Sequence, residues 1–266
     1  YLAYKEYSGK SDCSLTGKPL YLGGSLARTE ATGYGVTYFA QKALKEYKND
    51  SLAGKRVIVS GSGNVALYCL KKVTELGGKV IAMNDSSNCI YDENGIDFET
   101  LRHIKEDLRG RIKDYANEKT SAKVLASKEI WSIKADVAFP CATQFELDAD
   151  DAKKLISNGV IGVFEGANMP CTIEAAKLFI ENKVIYSPGK ASNAGGVAVS
   201  GLEIIQNNNN EKWSFEKVDS RLKDIMENIF DNIYRTAREL GDSYDLVKGA
   251  NNYAFIKTAE LMINRE

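Results

Sequence analysis

The chain has 266 residues, of which 44% are hydrophobic and 27% charged, with 35 Lys and Arg against 36 Asp and Glu. This is the composition of a globular chain with a sizeable core, and it excludes a disordered, collagen-like or coiled-coil protein. The balanced charge argues against nucleic acid as a partner, and no apolar run approaches the roughly 20 residues of a membrane-spanning helix, so we expect no membrane partner either.

Gly, Pro and polar side chains are frequent in the first 27 residues, and a helix is predicted after them. It opens at residues 28–30, Arg-Thr-Glu, and runs to about Lys48. Thr29 is the expected N-cap, because its hydroxyl can accept a hydrogen bond from a free N–H group of the first turn.

A strand–helix–strand unit follows. The apolar run at residues 57–59 predicts a buried strand, and apolar side chains at helical spacing after the next glycines predict a helix that ends at Gly77. Residues 80–83 predict a second buried strand, which ends at Asn84 and Asp85. Beyond a polar loop, residues 97–117 predict one long charged helix.

Later apolar strands alternate with helical patterns. They lie at residues 136–139, 160–163 and 184–186. Short continuous apolar strands separated by helices are typical of a parallel sheet that is covered on both faces. We therefore predict an α/β fold with a doubly wound, Rossmann-like sheet and helices on both faces.

No strand pattern returns after residue 196. Apolar side chains from Val218 to Ala237 form a helical stripe that we interpret as a core-facing surface, and the Asn-rich run at residues 207–210 is expected to be a loop between helices. These features predict a C-terminal, all-helical extension of the α/β fold.

A glycine-rich motif joins the first predicted strand to its helix. Residues 61–66, GSGNVA, match the G-x-G-x-x-A fingerprint of dinucleotide-binding proteins. Gly61 permits a tight turn, Gly63 has no Cβ to block a pyrophosphate, and Ala66 lets the helix approach the sheet. We expect the N-terminal amides of the helix to bind the phosphates, with Ser62, Asn64 and Val65 completing the contact.

The end of the second strand bears on the choice between NAD and NADP. An acid such as Asp85 at this position accepts hydrogen bonds from ribose hydroxyls, which favours NAD. Ser86 and Ser87 follow, and hydroxyl groups with a nearby cation can instead hold a 2′-phosphate. The candidate cations are Lys105, Arg109 and Arg111. Alternatively, these three residues simply form the solvated surface of a helix.

The sequence predicts no metal site. Its five cysteines include no C-x-x-C pair, which favours reduced thiols in a cytoplasmic protein over zinc binding or a disulfide framework. The single histidine, His103, lies in a charged stretch, where we expect a structural role at the surface.

Several segments together resemble the hexameric glutamate dehydrogenase family, in particular its NADP-linked branch. They are residues 23–35 (GGSLARTEATGYG), 60–66 (SGSGNVA), 85–87 (DSS), 140–144 (PCATQ), 165–170 (EGANMP) and 193–203 (NAGGVAVSGLE). The resemblance extends over nearly the whole chain and implies NADP as the cofactor, with NAD as the alternative.

The resemblance also implies roles for individual residues. Thr32 corresponds to a threonine at the nicotinamide carboxamide, and Asn168 and Asn193 correspond to asparagines near the nicotinamide. Alternatively, Thr32 caps a helix and the two asparagines are turn residues of loops. Ala142 and Thr143 correspond to a segment beside the cofactor ribose.

Two residues are implied to contact the substrate. Ser200 corresponds to a serine that binds the side-chain carboxylate of glutamate or 2-oxoglutarate, and Val197, one helical turn earlier, completes the wall. A pocket that hydrogen-bonds a polar group rejects apolar analogues, because its own polar groups would be left unpaired.

The family's catalytic lysine and aspartate lie in an N-terminal domain, so we expect no catalytic residue in this chain and little or no turnover by the chain alone. The resemblance implies a linker from that missing domain at residues 1–27, a dinucleotide-binding domain at 28–196, and C-terminal helices at 197–266 that complete the domain and the hinge. The full-length protein would be a cytoplasmic homo-oligomer, a hexamer, acting on glutamate, 2-oxoglutarate and ammonia.

Two alternatives remain open. One is a leucine-, valine- or phenylalanine-type amino-acid dehydrogenase, which Ser200 and the Asp-Ser-Ser sequence at residues 85–87 disfavour. The other is a non-catalytic dinucleotide-binding module, which would retain the same motifs.

Overall fold

The computed structural model describes residues 1–9 and 14–263, which form an α/β fold around a seven-stranded sheet. Its strands are β1 (Arg56–Val59), β2 (Lys79–Asn84), β3 (Asn88–Tyr91), β4 (Lys123–Ala126), β5 (Val137–Phe139), β6 (Gly162–Phe164) and β7 (Ile185–Ser187). Its helices are α1 (Leu2–Ser8), α2 (Ala31–Lys48), α3 (Asn64–Glu75), α4 (Phe98–Arg102), α5 (Tyr115–Glu118), α6 (Ala149–Ser157), α7 (Ile173–Glu181), α8 (Gly189–Ser192), α9 (Gly195–Asn208), α10 (Phe215–Glu239) and α11 (Leu246–Ile263).

The strand order is β4-β3-β2-β1-β5-β6-β7. The five strands from β2 to β7 in this order are parallel, which confirms the doubly wound fold. The chain first builds the sheet outward from β1 through β2 to β4 and then returns to add β5, β6 and β7 on the other side of β1. The order therefore reverses between β1 and β5, and in open α/β sheets ligands bind at this switch point.

The sequence predicted a parallel sheet, but two pairs of neighbouring strands are antiparallel. β3 and β4 are antiparallel to their neighbours, and β3 lies in the segment interpreted as a polar loop. Only residues 85–87 separate β2 from β3, and so short a connection permits a hairpin but no crossover. β3 was not predicted because it has only four residues and is flanked on both sides by turn residues.

Alternation along β1 separates the core into two layers. Val57 and Val59 pack into the larger apolar cluster with α2, α3 and α10, whereas Ile58 packs into the cluster formed with α6 and α7. This alternation is the period of two expected for a strand that is buried on both faces. The sheet is thus covered by helices on both sides.

Glycines bring α2 close to its neighbouring helices. A Cβ added at Gly33 would lie 2.5 Å from the backbone nitrogen of Cys69 in α3, and one added at Gly195 would lie 2.1 Å from the carbonyl oxygen of Ala31. Larger side chains at these positions would force the helices apart. The close packing fixes α3, which carries the fingerprint, and α9, which carries Ser200, against the same helix.

The prediction of one long helix over residues 97–117 is wrong. α4 ends at Arg102 and is followed by a π turn at His103–Asp107, and a 3-10 turn at Ile112–Asp114 precedes α5. The break centres on Arg109, whose backbone is left-handed (φ 52°), and on Gly110, whose N–H donates back to the Ile104 carbonyl. A glycine beside a left-handed residue interrupts the helical hydrogen-bond pattern.

Smaller differences concern helix ends. α2 begins at Ala31 with Glu30 at the N-cap position, so Thr29 is not the cap. α9 continues to Asn208, so that only the second half of the Asn-rich run is a loop, and α9 also crosses the proposed boundary between residues 196 and 197. The apolar stripe on α10 is buried as expected, including Leu222, Met226 and Phe230.

Within residues 1–9 and 14–263, no helix is long and apolar enough to cross a membrane, and no group of three or more His, Cys, Asp or Glu side chains is placed to hold a metal ion. Cys13 lies outside this part of the chain; the other four cysteines are free and buried. His103 is exposed, and its Nδ1 lies 2.8 Å from an oxygen of Asp107.

Candidate cofactor-binding site

A cleft of about 610 Å³ lies at the carboxyl ends of β1, β2 and β5. Its walls are the fingerprint turn at residues 61–65, the end of β2 at residues 84–86, and the loop that follows β5 at residues 141–146. These three segments meet at the point where the strand order reverses, which is where the fold places a ligand.

Glycine stands at the two fingerprint positions for different structural reasons. Gly61 has a φ of 91°, and a Cβ there would lie 3.0 Å from the Cα of Ala142, so the turn itself requires glycine. Gly63 is the N-cap of α3 in an extended conformation, and a Cβ there would meet no protein atom within 4 Å. The space in front of Gly63 is therefore open, and the N-terminal N–H groups of α3 are available to an anion.

The half-buried carboxylate of Glu146 joins the fingerprint strand to the loop after β5. An oxygen of Glu146 accepts hydrogen bonds from the hydroxyl of Ser60 (2.8 Å) and the N–H of Ala142 (3.0 Å), and the N–H of Cys141 donates to Ser60 (2.8 Å). Burial raises the pKa of the Glu146 carboxyl, against the opposing effect of these donors. No sequence pattern singles out Glu146, so this role could not be predicted from the sequence.

The Asp85 carboxylate is nearly buried and is hydrogen-bonded within the protein. It accepts hydrogen bonds from the N–H groups of Ser87 (2.8 Å), Asn88 (3.0 Å) and Ile112 (3.2 Å), and its side chain is only 7% exposed. Burial opposes its ionisation, but the three N–H donors and the Arg111 guanidinium outweigh burial and lower the pKa of the carboxyl. Asp85 is thus an ionised group that uses most of its hydrogen-bonding capacity within the protein.

Hydroxyls and cations face the cleft at this end. Ser86, Lys105 and Arg111 line it, and the Arg111 guanidinium donates to the Ser87 hydroxyl (3.2 Å). Arg111 reaches the cleft because the helix is broken before it, and the Ile112 N–H then donates a hydrogen bond to Asp85. Arg109, the third cation considered, is exposed and does not line the cleft.

A second cavity of about 580 Å³ continues from the first and shares Val65, Cys141 and Ala142 with it. Thr32, Asn168, Asn193, Val197 and Ser200 all line this second cavity. The amide nitrogen of Asn193 donates to the amide oxygen of Asn168 at 2.6 Å, so the two asparagines orient each other.

Two further residues, Arg28 in the wall of this cavity and Glu165 outside it, had no predicted role, although both lie in quoted motifs. Arg28 also lines the cavity, and its Nε donates to the Ser200 hydroxyl at 3.1 Å. Glu165 is buried and accepts hydrogen bonds from the Tyr186 hydroxyl (2.6 Å) and the Gly189 N–H (2.6 Å), which fixes the loop that carries Asn168. Its burial is not visible in a sequence.

The two cavities bring together all of the residues that the sequence analysis assigned to cofactor or substrate. They are Thr32, Ser62, Gly63, Asn64, Val65, Asp85, Ser86, Ala142, Thr143, Asn168, Asn193, Val197 and Ser200. Asp85 is among the lining residues, but its carboxylate is hydrogen-bonded to N–H groups of the protein. The individual roles of these residues stay predictions.

An open, doubly wound sheet with a glycine-rich turn at its switch point defines a Rossmann-like α/β protein. A family model described as Glutamate/Leucine/Phenylalanine/Valine dehydrogenase matches residues 23–266. The NADP-specific glutamate dehydrogenase of Helicobacter pylori (strain J99) is 50% identical over 267 residues, which cover 98% of this chain and 59% of that protein. The chain therefore belongs to the glutamate/leucine/phenylalanine/valine dehydrogenase family.

Solved structures agree with this assignment. A glutamate dehydrogenase of Plasmodium falciparum superposes with a TM-score of 0.96 at 45% identity, over 100% of this chain and 58% of that one. A hetero-hexameric glutamate dehydrogenase from Thermus thermophilus, in a leucine-bound form, superposes with a TM-score of 0.83 at 28% identity, over 97% of this chain and 58% of that one. The chain thus spans a little under three fifths of the length of these relatives.

Proposed function

We propose that this chain is the cofactor-binding portion of an NADP-dependent glutamate dehydrogenase, which interconverts glutamate and NADP with 2-oxoglutarate, ammonia and NADPH. The names of the relatives support this proposal. The observation that carries it is the nearly buried Asp85 carboxylate, together with the hydroxyls and cations that replace it at the cleft surface.

The geometry favours NADP for a physical reason. The Asp85 carboxylate already accepts three N–H hydrogen bonds and its side chain is only 7% exposed, which leaves it little capacity to accept hydrogen bonds from both ribose hydroxyls of NAD. A 2′-phosphate instead needs donors and positive charge, which Ser86, Lys105 and Arg111 supply. In this proposal Asp85 binds the loop that presents Arg111 and does not contact the ribose.

Arg111→Ala is expected to weaken NADPH binding about tenfold and to leave NADH binding nearly unchanged, because only NADPH has the phosphate that the guanidinium pairs with. The measurement is a fluorescence titration of each cofactor at fixed salt. Arg109→Ala, which removes the same charge from an exposed position outside the cleft, is the matched control and should alter neither affinity. Equal losses for NADPH and NADH in Arg111→Ala would contradict the assignment.

The second cavity supports a substrate with a carboxylate side chain. Ser200 supplies a hydroxyl and Arg28 a guanidinium within hydrogen-bonding distance of each other. A cation beside a hydroxyl matches the negative charge and the acceptor atoms of a carboxylate. An aliphatic or aromatic side chain would offer no acceptor to the Ser200 hydroxyl proton or to the remaining N–H groups of Arg28, so this pair disfavours leucine, valine and phenylalanine as substrates.

In the complete protein, Ser200→Ala is expected to lower kcat/KM for 2-oxoglutarate about tenfold, since a hydrogen bond to a charged group is lost. A 2-oxo acid with an aliphatic side chain should not lose efficiency. Steady-state reductive amination with both substrates tests this, with the exposed Ser157→Ala as the control. If both substrates are affected alike, Ser200 does not recognise the side-chain carboxylate.

The remaining assignments belong to the same proposal. Residues 62–65 would bind the phosphates, Ala142 and Thr143 the nearby ribose, and Thr32, Asn168 and Asn193 the nicotinamide. Residues 1–27 would lead from an N-terminal domain that supplies the catalytic groups, with the dinucleotide-binding domain at 28–196 and the hinge helices at 197–266. We also propose a cytoplasmic protein that assembles as a homohexamer.

A further inference from the structure

Phe145 is an exposed aromatic residue in an unusual backbone conformation. It lies on the loop between β5 and α6, its φ is 56°, and it is 58% exposed. The left-handed region is costly for a bulky side chain, and such residues persist only where the surrounding structure holds them. Because Phe145 is not buried, the apolar core gains little from it.

Contacts on both sides of Phe145 hold this conformation. The Phe145 N–H donates to the Met169 carbonyl (3.0 Å), and the Leu147 N–H donates to the Pro170 carbonyl (3.0 Å). The next side chain, Glu146, points inward to Ser60 and Ala142. Phe145 is thereby kept at the cleft surface while its neighbour is anchored below it.

The position of Phe145 indicates which part of a ligand it meets. It lines the first cavity, together with Asp85, Ser86 and Arg111, and it does not line the second cavity, which contains Thr32, Asn168 and Asn193. In a Rossmann-like fold the adenosine half of a dinucleotide lies toward the end of β2. Trp131, the other aromatic residue of this cavity, is buried and offers no free ring face.

We propose that the Phe145 ring is the platform on which the adenine base of the cofactor stacks. This inference rests on the proposed cofactor-binding function. Purine bases stack on aromatic rings irrespective of their hydrogen-bonding pattern, and an exposed ring at the adenosine end supplies that surface. Stacking does not involve the 2′-phosphate, so Phe145 contributes equally to NADPH and NADH, whereas Arg111 distinguishes them.

The test combines Phe145→Asn with Phe145→Trp. Asn tolerates the left-handed conformation but has no ring, so Phe145→Asn should raise the Tm of the free protein and weaken NADPH, NADH and adenosine 2′,5′-bisphosphate alike, by about tenfold. Phe145→Trp retains an aromatic face and should bind all three nearly as the wild type does. Nicotinamide mononucleotide, which has no adenine, should bind equally to every variant.

Met169→Asn is the matched control, because Met169 has a similar φ of 50° and is 57% exposed, yet does not line the first cavity. It should leave the affinity for adenosine 2′,5′-bisphosphate unchanged. Unchanged affinity in a folded Phe145→Asn variant overturns the inference, as does an equal loss in Met169→Asn, which would indicate a loop distortion. If the wild type binds none of the nucleotides, the proposed function itself fails.

Discussion

Replacing Gly63 by Ala is expected to leave the fold intact and to weaken dinucleotide binding about a hundredfold. A Cβ at Gly63 meets no protein atom within 4 Å and projects into the space in front of the α3 N-terminus. A methyl group there keeps the pyrophosphate away from the backbone N–H groups, and losing one or two charge-assisted hydrogen bonds costs about 3 kcal/mol. Titration with NADPH, alongside thermal unfolding of the free variant, measures both effects.

Gly61→Ala provides the contrast. Its backbone has a φ of 91°, and the new Cβ would lie 3.0 Å from Ala142, so this variant should lose stability of the free protein. Gly63→Ala should change the free energy of unfolding by less than about 1 kcal/mol. If a folded Gly63→Ala variant binds NADPH as the wild type does, the pyrophosphate does not lie at this turn.

Lys18→Met is expected to lower the free energy of unfolding by about 3–5 kcal/mol, because it leaves a buried carboxylate without its cation. Lys18 Nζ lies 2.7 Å from an oxygen of Glu203 in α9, and the two side chains are 4% and 0% exposed. The N–H of Gly17 donates to the same carboxylate at 3.0 Å. The pair attaches the segment before α2 to the helix that carries Ser200, and urea unfolding measures its loss.

An exposed ion pair serves as the comparison for Lys18. Lys153 and Asp150 are 2.9 Å apart with both side chains largely in solvent. Lys153→Met should change the free energy of unfolding by no more than about 1 kcal/mol, since exposed pairs contribute little. If Lys18→Met costs no more than Lys153→Met, then Glu203 does not depend on Lys18 for its burial.

The parts of the fold that the sequence predicted are those with local signals. The parallel strands are continuous apolar runs, and the glycine-rich motif follows one of them, so β1, α3 and β2 could be located from composition and spacing. β3 has no such signal, because its pairing depends on a short turn after β2 and on a distant partner, β4. The break at Arg109 is also a tertiary effect, since the segment after it is bonded to Asp85.

The same distinction holds for the site. Motifs identified the residues that line both cavities, but they did not give the direction of the Asp85 carboxylate, which depends on Ile112, far along the chain. The anchoring roles of Glu146 and Glu165 depend on burial, and the contact of Arg28 with Ser200 joins α9 to the turn before α2. Apart from the contact of Glu146 with Ala142, these contacts join residues that lie far apart in the sequence.

The most direct measurement is a parallel fluorescence titration of this chain with NADPH and NADH at the same ionic strength. Because the Asp85 carboxylate is nearly buried and Arg111 lines the cleft, we expect NADPH to bind at least about tenfold more tightly than NADH. Binding of NADH as tight as or tighter than that of NADPH would contradict this expectation, because Asp85 would then be accepting hydrogen bonds from the ribose.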